Sequence, residues 1–359
     1  MSKKQLIDVI KPHTEMKLQL IENYVKDWAP ILLRYDKCRT IIFIDCMCNC
    51  GEYKNLDGDV VIGTPVRVTK VFQSLAKDYP DKHFYLYFND YDSDRIEHLK
   101  ELIDNDLPNV TIITSCADAN QFLLQIKRFV VGINGYHYLL VYDPYKADIK
   151  WDSLAPYLNG WGEVILNHMV SDSIRGLPQT TKVETMKKYE ATYLKPYNDL
   201  VPYGSDRKAY EARINEIIHL LRSNGRDYYV ASFPFFNRTN SLVYDLVHCT
   251  SNIKGFKLYK KTAWKTFNGK SSAAKEKGEG RLLSLFDKNE EDSKCLYIGD
   301  IADYLFNHFK GCENVPRDNV FSYLDLHPIF PSDGFRREIV NELRDRFGVK
   351  VTKTTLSFK

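Results

Sequence analysis

The sequence predicts a doubly wound α/β sheet, on three observations. Short apolar segments alternate with amphipathic segments of helical length from His13 to about His168. The segment "KHFYLYFND" is apolar and aromatic on both parities, as a strand covered on both faces is. The apolar segments also close on carboxylates, Asp45, Asp90 and Asp143, at the strand ends where such sheets bind ligands.

Each element follows in order. "HTEMKLQLIENYVKDWAPILLRY" places Met16, Leu20, Ile21, Tyr24, Val25 and Trp28 on one face of a helix that stops near Pro30. The strand "TIIFID" comes next, then an irregular polar segment from Cys46 to Gly63, and then a helix with Pro65 in its first turn. After "KHFYLYFND", the segment "DSDRIEHLKELIDN" supplies a helix with Asp or Ser as its N-cap. "NVTIITSC", "ANQFLLQIKRFV" and "YHYLLVYDPY" repeat strand, helix and strand, and "WDSLAPYLN" with "GEVILNHM" repeats the alternation once more.

From about 173 to 226 the pattern turns helical and charged, an insertion between sheet strands, before "RDYYVASFPFF" and "LVYDLVHCTSN" return as two strands joined by "NRTNS". Residues 254 to 281 hold nine Lys or Arg against Glu276 and Glu279. The expected organisation is an α/β domain over 1–270, a basic flexible linker over 271–293 and a C-terminal unit over 294–359. In that last unit, three short helices and an alternating basic final strand resemble a winged helix-turn-helix domain. Its Arg336, Arg337, Arg344, Arg346, Lys350 and Lys353 either face phosphates or form a solvated polar face.

Composition bounds the function. With 27% charged and 44% hydrophobic residues, the 359-residue chain is neither disordered nor a membrane protein in type. A net charge of +3 does not by itself argue for nucleic acid, which is recognised through local clusters of basic residues. No apolar run of membrane-spanning length and no secretory leader are legible, so a cytoplasmic protein with no membrane partner is expected. Eight cysteines in a chain of this size do not read as a disulfide framework; only Cys46, Cys48 and Cys50 cluster, and the others are expected reduced in the interior.

The cluster "IDCMCNCGEY" raises the chemical question. Its C-x-C-x-C spacing lacks a second Cys pair or an HxxxH pair, so no metal site is expected. A redox dithiol wants CxxC, whereas alternate positions of an extended segment point the same way without forming that motif. The cluster stands instead where a doubly wound domain turns from its first strand toward Gly51 and binds a nucleotide, and there small residues let the backbone approach a ligand. Asp90, with Asp92 second, suits ribose hydroxyls, and each also suits the N-cap of the next helix. Asp118 suits an adenine amino group or, equally, an N-cap. "VYDPY" makes a rigid polar ledge in which Asp143 and Pro144 accept from the NH2 of a planar base while Tyr145 stacks on its ring; a strand-ending turn with a packed Tyr is the alternative.

These residues in this order resemble the class I S-adenosylmethionine-dependent methyltransferases and, more closely, the three-Cys-motif partner proteins. "KPHTEMKLQLIENYVKDW" is similar to that family's opening through His13, Thr14, Lys17, Tyr24 and Trp28, and "FIDCMCNCGEY" to its cofactor turn through Asp45, Gly51 and Tyr53. Cys46, Met47, Cys48 and Asn49 depart from the glycine-rich pattern of the turn. "GTPVRV" matches with Thr64 in place of Ser, and "FNDYD", "CADAN", "VYDPY" and "GEVILNHMVSDSIR" resemble the later motifs. The resemblance implies S-adenosylmethionine as cofactor, held by Asp45, Cys46, Cys48, Asn49, Gly51, Thr64, Pro65, Asp90, Asp92, Asp118 and Ala119. It implies catalysis at Asp143, Pro144 and Tyr145, with His13, Lys17, Asn167 and Arg175 toward the substrate, a nucleic-acid base or exocyclic amine. Nucleic acid and a radical-enzyme-like protein are the implied partners. The departures at the turn leave a second expectation, an inactive methyltransferase-like binding module.

Overall fold

The computed structural model describes residues 6–159, 161–200, 207–222, 228–237, 242–271 and 296–359. Helix α1 (Pro12–Leu33) leads into strand β1 (Thr40–Asp45), and a small hairpin of β2 (Glu52–Lys54) and β3 (Val60–Ile62) follows. Then come α2 (Thr64–Asp78), β4 (His83–Asp90), α3 (Ser93–Leu102), β5 (Val110–Cys116), α4 (Ala119–Val130) and β6 (Tyr136–Tyr142). The short α5 (Trp151–Leu154) precedes β7 (Glu163–His168). Next are α6 (Val170–Gly176), α7 (Val183–Tyr193), α8 (Tyr197–Leu200) and α9 (Arg207–Arg222), then the antiparallel pair β8 (Tyr229–Phe236) and β9 (Leu242–Thr250), and α10 (Ile253–Thr266).

The main sheet has the order β5-β4-β1-β6-β7-β9-β8. Strands β5, β4, β1, β6 and β7 run parallel, and β9 is reversed against both β7 and β8. The chain leaves β1 toward β4 on one side and returns to β6 on the other, so the switch point lies at the end of β1. This is a mixed α/β, Rossmann-like sheet with both faces covered. Alternation along β1 splits the core: Ile41 and Phe43 pack with α1, α2 and α10, while Ile42 and Ile44 pack with α4, α7 and α9 on the opposite face. Burying one such side chain contributes about 1.5–3 kcal/mol.

Two sequence expectations shift. Helix α1 runs through Pro30 to Leu33, because burial of Trp28, Ala29 and Leu33 in its last two turns offsets the hydrogen bond that proline cannot make. Met16, expected on the buried face, is exposed. The segment Cys46–Gly63 is also more ordered than its polar composition suggests: β2 pairs with β3, and Val9 bridges to Lys54 on its other side.

The C-terminal unit comprises α11 (Ile298–Phe309), β10 (Val315–Pro316), α12 (Arg317–Asp325), α13 (Arg336–Phe347), β11 (Lys350–Val351) and β12 (Thr355–Ser357). Its three strands form an antiparallel sheet in the order β10-β12-β11. It packs on α10, where the Trp264 ring meets Phe330 and Phe335 edge-on and its indole N–H donates to the Ile329 carbonyl at 3.0 Å. The Ser232 N–H of the edge strand β8 donates to Pro328 O at 3.1 Å. Apart from Ser271, the expected linker lies outside the described residues. Among the described residues no helix is long and apolar enough to cross a membrane.

Candidate functional site

The parallel strands put the ends of β1, β4 and β6 side by side, and each end carries a carboxylate. Asp45 is buried, and its Oδ1 accepts the Met47 N–H at 3.2 Å. Burial first, and then the charge of Asp143, push its carboxyl up to about 8, with Lys17 pulling the other way. Asp90 accepts two backbone N–H groups, from Asn49 at 2.9 Å and Asp92 at 3.0 Å. Asp143, just past β6, holds the Lys17 ammonium on Oδ2 and the Asn167 amide on Oδ1 at 2.5 Å. Lys17 thus ties α1 to the ledge, and its ammonium also lies 5.3 Å over the Tyr244 ring.

His13 lies one turn before Lys17 on the same face of α1, its ring edge-on to Tyr244. Burial and the charges of Lys11 and Lys17 lower it to about 4, so at pH 7 it is neutral and brings no positive charge. Asn167 sits at the end of β7 beside Asp143, whereas Arg175 is exposed and turned to the Ser171 carbonyl of its own helix at 3.0 Å. Among the described residues, the hydrogen bonds of Arg175 go to Ser171 and reach neither Asp143 nor Asn167.

The turn after β1 answers the question of the thiols. Cys46 packs into the core on the α4 face and Cys48 into the core on the α1 face, so their side chains diverge instead of pointing the same way. Cys46, Cys48 and Cys50 meet the carbonyls of Val141, Asn49 and Glu52 respectively, and burial pushes all three thiols up. Among the described residues no group of three or more His, Cys, Asp or Glu is arranged to hold a metal ion. Asn49 takes φ 61° and Gly51 φ 86°. A left-handed Asn is tolerated because its short amide bonds locally, here to the Cys50 N–H at 2.6 Å. At Gly51 a side chain would come within 2.6 Å of Leu99. The Gly51 carbonyl accepts the Gly63 N–H at 2.7 Å, which fixes the turn to the start of α2, where Thr64 and Pro65 are buried.

Asp92 accepts the Asp94 N–H at 3.0 Å as the N-cap of α3. Asp118 accepts from Asn120 and Gln121 at 3.0 and 3.1 Å, immediately before Ala119 opens α4. Of the other cysteines, Cys38 and Cys249 are buried, but Cys116 and Cys312 are exposed, and Cys295 lies outside the described residues. Position at the end of β5 and in the turn after α11 accounts for the two exposed ones.

Sequence reasoning missed Asp8, Arg95 and Asn89. Asp8 Oδ2 accepts from Arg95 at 2.8 Å and from Asn49 Nδ2 at 3.0 Å. The Tyr145 hydroxyl accepts from Arg95 at 3.2 Å and from Asn49 at 3.4 Å, drawing a ring that is 67% exposed across the turn. Asn89 donates to the carbonyls of Cys46 and Ala117 at 3.0 and 2.9 Å and accepts the Ala117 N–H, joining the ends of β1, β4 and β5. Asn89 was findable as a polar residue at the end of an apolar strand; Asp8 and Arg95 carried no local signal.

No protein-family model matches the sequence, and no curated protein matches it. Among solved structures, a DUF519-family protein from Legionella pneumophila aligns over 70% of this chain and 92% of its own, at 10% identity and a TM-score of 0.39. The plantazolicin methyltransferase BpumL, crystallised with SAH, aligns over 61% and 69% at 11% identity and a TM-score of 0.30. A SAM-dependent methyltransferase from Agrobacterium tumefaciens aligns over 67% and 62% at 11% identity and a TM-score of 0.28. Likenesses at these scores assign neither ligand nor activity.

Proposed function

We propose that the chain is an S-adenosylmethionine-dependent methyltransferase acting on an amino nitrogen, of a nucleic-acid base or a related exocyclic amine. The observation that carries the reading is the meeting of Asp45, Asp90 and Asp143 at the switch point of the sheet. Lys17 is bonded to one of the three and Asp45 is pushed up to about 8, so the strand ends hold more carboxyl groups than cations, an arrangement suited to a cationic nucleoside. The turn fits the cofactor because Cys46 and Cys48 direct their side chains into the two cores and the left-handed Asn49 and Gly51 carry the backbone past the strand ends. The resemblance to three-Cys-motif partner proteins supports the same assignment.

In this reading residues 45–51 with Thr64 and Pro65 hold the amino-acid end of the cofactor, Asp90 and Asp92 its ribose, and Asp118 and Ala119 its base. S-adenosylmethionine, when bound, supplies a methyl group already activated on sulfonium. The chain's part is positioning: Asp143, fixed by Lys17 and Asn167, and the Pro144 backbone receive the acceptor amine, and Tyr145 stacks on its ring. His13, as a neutral hydrogen-bonding group, and Arg175 line the approach.

Calorimetry with S-adenosylmethionine and S-adenosylhomocysteine tests the proposal: binding in the micromolar range is expected, and none at millimolar ligand sinks it. A second reading, an inactive binding module, is favoured by the Asn49, Asp8, Arg95 and Tyr145 network, which occupies the outer side of the turn from within the chain. Absence of binding in the same titration would support it.

The C-terminal unit fits a winged helix-turn-helix by its order of three helices and three antiparallel strands. Arg336, Arg344 and Arg346 pair with Asp333, Asp345 and Asp303, which leaves exposed Arg337, Lys350 and Lys353 as the better candidates for phosphate contact. Retention on heparin that falls with salt is expected if nucleic acid is the partner.

A further inference from the structure

The structure assigns Asn167 as the residue that reads a primary amine at the acceptor position; this rests on the methyltransferase reading above. Asn167 is 3% exposed, at the end of β7. Its amide orientation follows from its neighbours: Asp143 Oδ1, 2.5 Å away, belongs to a carboxylate whose other oxygen is ion-paired with the Lys17 ammonium, and it accepts. Nδ2 must therefore face Asp143, where it also lies 3.6 Å from Met169 Sδ, and Oδ1 faces away, buried and with no hydrogen-bond partner. A buried acceptor without a donor is destabilising, so a native chain keeps one where a ligand or an ordered molecule completes it.

The stoichiometry of hydrogen bonds then selects the ligand. Asp143 Oδ1 has a second lone pair, and Asn167 Oδ1 belongs to the amide hydrogen-bonded to it, so the pair offers two acceptors. An –NH2 or –NH3+ group satisfies both. A hydroxyl satisfies one, and a carboxylate or phenolate, which brings no hydrogen, would add a third acceptor. The acceptor class is thus a primary or exocyclic amine, with Asn167 determining specificity through a direct hydrogen bond.

Sinefungin, in which an amine-bearing carbon replaces the methylated sulfur, places an ammonium where the transferred methyl group would lie, and S-adenosylhomocysteine has nothing there. Calorimetry should show wild-type protein binding sinefungin about tenfold or more tighter than S-adenosylhomocysteine, the worth of a hydrogen bond to a charged group. Asn167→Leu, of similar volume, should bring that ratio near one while leaving S-adenosylhomocysteine affinity within about twofold. Asn167→Asp should restore it, because a carboxylic acid sharing a proton with Asp143 still presents a carbonyl oxygen; thermal melts report whether each variant folds. A preference for sinefungin that survives Asn167→Leu, or that is absent from the wild type, overturns the inference and leaves the cofactor site standing. No binding of S-adenosylhomocysteine at all overturns both.

Discussion

Two buried lysines sit in opposite electrostatic settings. Lys17, on α1, meets more carboxylate than it can balance: it bonds to Asp143, while Asp45 and Asp90 lie close by. Lys260, on α10, meets too little: its ammonium donates to the carbonyls of Asp325 and His327 at 2.8 and 2.7 Å, over the Phe256 ring. The nearby Asp325 carboxylate is taken by Lys257 at 2.8 Å. The consequences fall on different groups. At the first lysine the surplus acid gives way, and Asp45 is pushed up to about 8; at the second the base gives way, and burial pushes Lys260 down to about 7. An amine near neutrality still donates to two carbonyls, so Lys260 can join the C-terminal unit to the sheet without a counter-ion. A surplus carboxylate has no such use in packing, which is why the Lys17 end reads as a binding site and the Lys260 end as a seam.

The largest expected effect tests the acidic end. Asp45 binds its proton more tightly in the folded chain than in the unfolded one, where its carboxyl titrates at 3.8. Its contribution is therefore complete below about pH 4 and lost as pH rises toward 8. Asp45→Asn, which mimics the protonated acid, should gain on wild type by on the order of 4 kcal/mol in urea unfolding between pH 5 and pH 9. A difference that is the same at both pH values would mean that Asp45 is not the group carrying the surplus.

The smaller effect at the seam has the opposite sign. The folded pKa of Lys260 lies below its unfolded value of 10.5, so the folded chain holds fewer protons and gains stability as pH rises from 7 toward 10. Lys260→Met should flatten that rise, by on the order of 2 kcal/mol between pH 7 and 9. It should leave affinity for S-adenosylhomocysteine unchanged. A slope that persists in the variant would assign the pH dependence to other groups.

The two lysines were not equally legible in sequence. Lys17 lies one helical turn from His13 in a recognisable opening, whereas Lys260 is one of five lysines in α10, and nothing local separates the buried one from its neighbours. The alternation of strands and helices, both covered faces of β4 and the acidic strand ends were readable because each is set by periodicity within one element. The divergence of Cys46 from Cys48 was not, since it depends on where β1 ends and on the left-handed Asn49. Pairing between Asp8 and Arg95 joins residues 87 apart in the chain, so only the closed fold brings them together.

The smallest expected effect is at the cover of the site. The Tyr145 hydroxyl takes hydrogen bonds from Arg95 and Asn49, and both donors also reach Asp8 Oδ2. Removing the hydroxyl therefore leaves each with a partner, and because the ring is largely exposed, Tyr145→Phe should change stability by no more than about 0.5 kcal/mol. The ring remains available for stacking but is no longer tied across the turn. If the network covers a nucleoside site and must loosen for entry, affinity for S-adenosylhomocysteine should rise by about threefold, a change of under about 1 kcal/mol. A loss of tenfold or more would mean that the hydroxyl belongs to the bound state, as a ligand contact or as the anchor that aims the ring. The surplus of acid beneath it would then be matched by a preformed lid, and the Lys17 end would be as fixed in its contacts as the seam at Lys260.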